Sequence, residues 1–275
     1  MKKVMVAIDE RDEAVGLAAV AVAFADPGAE VDVLHVVELG AGQSFVEADA
    51  TVAEAVDLVR ARGLTGQGHV EATDGGVAPR LVEHARRLGP ELVVMGCRGL
   101  GRLGGVVGHS VSHALLAELD VPVLVLPCDA RLPLRGFRRV LASVGSEGDA
   151  AAVVAAVQLL PGVSEVLVGH VPRRVALHVG RGGGQTFAEI GETSTQVLAE
   201  AVGLFEEAGI PVAGRTLERA GGVAAAIGDT ARSWNADVIV LGARRPHEWE
   251  ALVAGSTVHE VLRRSDRPVL VAGSR

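Results

Sequence analysis

The chain repeats itself, and this limits its fold more than any single motif does. Val4-Met5-Val6-Ala7-Ile8-Asp9 returns in character as Val140-Leu141-Ala142-Ser143-Val144-Gly145, and a stretch rich in Ala and Val follows each. Val33-Leu34-His35-Val36 is echoed by Leu167-Val168-Gly169-His170-Val171. Later, Glu91-Leu92-Val93-Val94-Met95-Gly96 parallels Asp237-Val238-Ile239-Val240-Leu241-Gly242, and Val121-Pro122-Val123-Leu124-Val125 parallels Arg267-Pro268-Val269-Leu270-Val271. Equivalent segments lie about 135 residues apart early and about 146 apart late, which assigns roughly eleven extra residues to the middle of the second half. The glycine-rich segment from Gly180 to Gly184 is the natural place for them. A stretch with two prolines and no periodicity, from Pro127 to Gly136, reads as a linker. The 275 residues therefore divide into two ordinary domains, expected at 1–129 and 136–275, rather than one large one.

Within each half, short runs of consecutive apolar residues alternate with longer helical patterns. Leu92 to Met95 and Val123 to Leu126 are apolar at every position, as expected of strands covered on both faces. Ala48 to Arg62 and Val77 to Leu88 space their apolar residues for helices. The expected class is α/β: two tandem doubly wound domains, each a five-stranded, mostly parallel sheet with helices on both faces. In such sheets a ligand sits beyond the C-terminal ends of the strands, where the strand order reverses. Chemistry is therefore sought just after each strand.

Composition removes several function classes. With 34 Asp+Glu against 26 Lys+Arg, a net charge of −8 argues against a nucleic-acid partner. The most apolar stretch, Leu17 to Ala25, is too short to cross a bilayer, so no membrane partner is expected. Two cysteines, Cys97 and Cys128, are too few for a disulfide framework or a four-thiolate zinc site. Met1-Lys2-Lys3-Val4 leads straight into strand-like sequence without the features of a signal peptide, so a cytoplasmic location is expected.

Six glycines lie between Gly96 and Gly108, directly after the fourth strand of the first half. Such a loop brings backbone N–H groups close to an anion, and the helix beginning near Ser110 adds unpaired N–H groups and partial positive charge. A di- or triphosphate suits that environment; a purely steric need for glycine is the competing reading. No Gly-x-x-x-x-Gly-Lys-Ser/Thr loop is present, and the first strand leads into Asp9-Glu10-Arg11-Asp12 rather than into Gly-x-Gly-x-x-Gly, which argues against a P-loop NTPase or a dinucleotide dehydrogenase.

These segments together resemble the universal stress protein (UspA-type) family, as a tandem two-domain member, over nearly the full length. The resemblance implies a Rossmann-like fold of the adenine nucleotide alpha hydrolase type. Nucleotide-binding members carry Gly-x-x-Gly, nine residues, then Gly-Ser/Thr, with an Asp ending the first strand. In the first half, Gly96 and Gly99 match the opening of that motif, and the nine residues after Gly99 lead to His109-Ser110. His109 thus replaces the motif's last glycine, and its imidazole either blocks the site by bulk or assists by donating a hydrogen bond. Ser110 matches the phosphate-contacting hydroxyl, and Asp9 the acid that approaches the adenosine end. Val36 matches the second-strand position whose backbone meets the adenine, Met95 flanks the loop, Arg98 lies between the two glycines within reach of ribose or phosphate, and Ala7 and Val111 complete the expected nucleotide site. In the second half, Gly242-Ala243-Arg244-Arg245 loses the second glycine, Gly255-Ser256 keeps the motif's end, and the first strand ends at Gly145 rather than an acid. Binding is therefore expected mainly in the first half.

The implied ligand is ATP or a related adenine nucleotide, with or without Mg²⁺, acting as a regulatory ligand with at most slow hydrolysis. The implied role is a cytoplasmic stress-response module, with the two last strands pairing as an intrachain pseudo-dimer. A homodimer beyond it and an unidentified protein partner stay open. One alternative is a nucleotide-free dimerisation and protein-interaction module, motivated by the departures at His109, Arg245 and Gly145. A catalytic relative of the alpha hydrolases is another.

Other candidates have simpler readings. His109 and His113 have the spacing of a metal pair but no evident third ligand, so no metal site is expected. Cys97 is read as a small turn residue. His35 and His170, at equivalent second-strand ends, are read as sharing a packing or hydrogen-bonding role. Glu83 with Arg86 and Arg87 reads as a solvated helix face.

Overall fold

The computed structural model describes residues 1–9, 14–96, 111–127, 136–172, 174–179, 184–189, 193–218, 221–242 and 257–273. The first half runs β1 (Lys3–Ile8), α1 (Ala14–Phe24), β2 (Glu30–Glu38), α2 (Phe45–Ala61), β3 (Thr65–Thr73), α3 (Val77–Leu88), β4 (Leu92–Gly96), α4 (Val111–Glu118) and β5 (Val123–Leu126). The second runs β6 (Arg139–Ser143), α5 (Ala150–Gln158), β7 (Glu165–His170), β8 (Arg174–Val179), β9 (Gly184–Glu189), α6 (Ser194–Glu207), β10 (Val212–Thr216), α7 (Val223–Ser233), β11 (Val238–Leu241), α8 (Thr257–Arg264) and β12 (Val269–Val271). The extra residues of the second half fold as an antiparallel pair, β8 with β9, inserted between β7 and α6. The linker residues 128–135 lie outside those described.

Each half has the doubly wound order. β3-β2-β1-β4-β5 and β10-β7-β6-β11-β12 are parallel ladders, and they join into one 10-stranded sheet. The join is the only antiparallel step in that sheet among the described residues: β5 and β12 pair with Leu124 opposite Leu270. The anticipated pairing of the two last strands is thus present within the chain.

The apolar strand residues face two cores, one on each side of the sheet, and both cores run through the two halves. One lies under α1, α2, α5 and α6 and includes Leu124 and Leu270; the other lies under α3, α4, α7 and α8. Phe24 of α1 stacks on Phe137, just before β6, with ring centroids 5.6 Å apart, a further apolar link between halves. α1 is apolar all round, as a helix packed on several sides should be. α2 starts at Ser44, whose hydroxyl accepts from the Glu47 N–H, and α6 starts with a reciprocal capping box between Thr193 and Gln196. Glu83 pairs with Arg80 rather than with Arg86 or Arg87, which reach across to Glu118 and Glu71 because their helix positions point toward those neighbours.

Beyond β12, Gly273 passes close to the chain entering β5. A Cβ there would meet the Asp120 carbonyl oxygen and lie 2.9 Å from its carbon, so only glycine fits without moving backbone. Two outcomes follow for denaturant titration. Leu124→Ala and Leu270→Ala should each cost about 2–5 kcal/mol, and the double variant should depart from additivity by about 0.5–3 kcal/mol because the side chains share one contact. Gly273→Ala should cost about 1–3 kcal/mol through overpacking at the junction.

Candidate functional site

Strand order reverses between β1 and β4. Ala7 pairs in register with Met95, so the C-terminal ends of both strands lie side by side, with β2 beyond β1 and β5 beyond β4. Ala7, Val36 and Met95 are nearly fully buried and belong to one apolar cluster, against which Val111 packs at the start of α4. Asp9 is half-buried one residue past β1, and Gly96 is half-buried at the end of β4. Six of the ten expected site residues are therefore placed around a single switch point. The other four, Arg98, Gly99, His109 and Ser110, lie outside the described residues, as does Cys97.

The corresponding point in the second half carries a different acid. β6 ends at Ser143, and after the turn the carboxylate of Asp149 accepts from the N–H groups of Gly145 (3.2 Å) and Ser146 (3.1 Å). The same side chain lies against the end of β11: a Cβ on Gly242 would be 2.9 Å from Asp149 Cβ. The Asp149 side chain thus stands between the turn after β6 and the end of β11. The sequence reading saw the missing acid at Gly145 but not its replacement four residues on. The pattern Ser146-x-x-Asp149 at a helix start was the available signal.

His170 is buried, and its Nδ1 lies 3.0 Å from the Val144 carbonyl oxygen, which accepts from it. The hydrogen-bonding role read for this position is present at His170; its counterpart His35 is fully buried. A cleft of about 510 Å³ opens at the opposite ends of β4 and β5, lined by Pro90, Glu118, Pro122, Ala152 and their neighbours, and no expected site residue lines it.

One polar cluster was not anticipated. On the α3 side of the sheet, Asp32 of β2 is buried between two histidines: His84 Nε2 lies 2.9 Å from Oδ1 and His69 Nε2 3.0 Å from Oδ2. His84 Nδ1 lies 2.9 Å from Glu71 Oε1. Glu71 is held by Arg80 (2.6 Å) and Arg87 (2.9 Å), and Arg87 also lies 2.9 Å from His84 Nδ1. The hydrogen bond to Asp32 raises the His84 pKa above the usual histidine value; burial opposes it, and Glu71 adds to it. Burial pushes the Glu71 carboxyl up, but His84, Arg87 and Arg80 outweigh this and hold it below the ordinary carboxylate range. A charged residue inside the run Val31-Asp32-Val33-Leu34 was the signal in the sequence, since a buried strand position seldom takes one without a partner.

Among the described residues, no helix is long and apolar enough to cross a membrane. A universal stress protein of Archaeoglobus fulgidus DSM 4304 shares the fold over 100% of this chain and 98% of its own, with a TM-score of 0.71 at 19% identity. A putative universal stress protein of Pseudomonas aeruginosa UCBPP-PA14 does so over 99% and 93%, with a TM-score of 0.60 at 15% identity. Stress response protein NhaX of Bacillus subtilis is 36% identical over 59 residues, 22% of this chain and 36% of NhaX, so the match spans little more than a third of that relative. The model of the universal stress protein family matches twice, over residues 1–127 and 136–273. Two successive matches, on halves that repeat one doubly wound sheet, make this chain a tandem member of the universal stress protein family.

Proposed function

We propose that the protein is a cytoplasmic stress-response module that binds ATP or a related adenine nucleotide, with or without Mg²⁺, through its first half. The observation that carries this reading is the difference between the two switch points. In the first half, the apolar wall of Ala7, Val36 and Met95 ends beside a half-buried Asp9, and a glycine-rich sequence leads from Gly96 into α4. In the second, the first strand is followed by no acid at Gly145, and Asp149 lies against Gly242 and bonds the turn. The first arrangement suits a flat base against apolar side chains, a ribose beside a carboxylate, and phosphates on backbone N–H groups at a helix start. The nucleotide acts as a regulatory ligand, with at most slow hydrolysis.

Calorimetric titration with ATP tests the proposal. Binding should also raise the melting temperature, because ATP at about 100 times its Kd stabilises the folded state by about 2.7 kcal/mol. No heat and no thermal shift at millimolar nucleotide would sink it. Gly99→Trp should abolish binding by filling the phosphate loop, whereas Gly255→Ala should leave it unchanged. Asp149→Ala should cost about 0.5–2 kcal/mol of stability through the two lost hydrogen bonds, with no change in ATP affinity.

A nucleotide-free interaction module is the second reading, favoured by His109 in place of the motif's last glycine. Mass spectrometry of the freshly purified protein separates the two: co-purified adenine nucleotide belongs to the first reading only.

A further inference from the structure

The Asp32 cluster is costly and the fold does not require it. The buried Asp32 carboxylate and the partly buried Glu71 must be desolvated, and such networks seldom repay that cost compared with apolar packing. The second half demonstrates the apolar solution. By strand register and helix start, Asp32 corresponds to Leu167, Glu71 to Leu217 and Arg80 to Ala226, all nearly fully buried. His84 corresponds to Thr230, whose hydroxyl is satisfied by the Ala226 carbonyl within its own helix. At these four positions the second half carries no ionisable group where the first carries four.

We propose that Asp32, His69 and His84 form a site for a divalent transition-metal ion of the zinc class. One donor atom from each of the three lies within 4.8 Å of the others. Two imidazole nitrogens and one carboxylate oxygen are a ligand set that zinc favours, with a fourth position open to water. A tetrahedral ion with bonds of about 2.0–2.1 Å sets its donors about 3.3 Å apart. The two histidines now meet different oxygens of Asp32, at 2.9 and 3.0 Å, and the three donors, within 4.8 Å of one another, close to that spacing around the ion. The surrounding contacts match what a metal-bound histidine needs. His84 presents Nε2 to the site while Nδ1–H donates to Glu71, which fixes the ring's tautomer and orientation, and Arg80 and Arg87 hold Glu71 in turn. Entry is from the His69 side, where the side chain is 39% exposed while Asp32 and His84 are buried. On binding, the ion takes the place of the protons at the two Nε2–carboxylate contacts, and these pass to solvent.

The site is separate from the nucleotide reading and is tested in nucleotide-free buffer on the full chain. Protein treated with EDTA and dialysed is titrated with Zn²⁺ by calorimetry, and with Co²⁺ by visible absorbance. The expected result is one ion per chain, a cobalt spectrum of low coordination number, and a rise in melting temperature with zinc. His69→Gln, at a part-exposed position, should leave the metal-free melting temperature within a degree or so and weaken zinc binding at least tenfold. Glu71→Gln should weaken it by about 10- to 100-fold without removing a ligand. No zinc uptake by the wild-type chain overturns the proposal. So does uptake of equal affinity in the wild type, His69→Gln and Asp32→Asn, which would place the ion on other histidines.

Discussion

The antiparallel pairing of β5 with β12 is the interaction on which the rest of the arrangement depends. Each half ends its parallel ladder on a short, wholly apolar strand, Val123–Leu126 or Val269–Val271, that would otherwise leave an unpaired edge in the middle of an apolar surface. Pairing them satisfies both edges at once and makes ten strands a single ladder. It also lets each core continue from one half into the other, with Leu124 facing Leu270 and Phe24 against Phe137. The edges left at the ends are β3 and β10, whose glycines and polar residues suit exposure.

Within that near-symmetric frame the two halves have diverged where polar groups meet the sheet. At the switch point, one half keeps a half-buried Asp9 beside the glycine-rich sequence, and the other turns Asp149 inward against Gly242. On the α3 side, one half carries the Asp32–His84–Glu71 network and the other carries leucines. After the second strand, one half runs directly to α2 and the other inserts the β8–β9 hairpin. The hydrophobic pattern that specifies the sheet is common to both. Both proposed sites lie among these differences, since function belongs to particular groups placed on a fold rather than to the fold itself.

Much of the architecture was legible before any coordinates. Runs such as Leu92 to Met95 announce strands buried on both faces, and the spacing in Val77 to Leu88 matches α3 residue for residue. The repeat implied two domains and their extra residues. The wall of the candidate site was legible too, because Ala7, Val36 and Met95 stand at strand ends that any doubly wound sheet gathers together. Asp149 and the Asp32 cluster were not. A short side chain reaching back four residues, or a carboxylate meeting an imidazole 52 residues away, leaves no periodicity to read.

The sequence by itself determined the class of fold, the repeat and the family, since these rest on apolar periodicity and on glycine placement, which are local properties of the chain. Only the tertiary structure decided which strands meet across the two halves, that Asp149 lies against Gly242 at the second switch point, and that Asp32, His69 and His84 converge. Those outcomes depend on strand register and on the side of the sheet each side chain faces. Both are set by packing between segments distant in sequence, where a shift of one residue would turn every one of these groups to the opposite face.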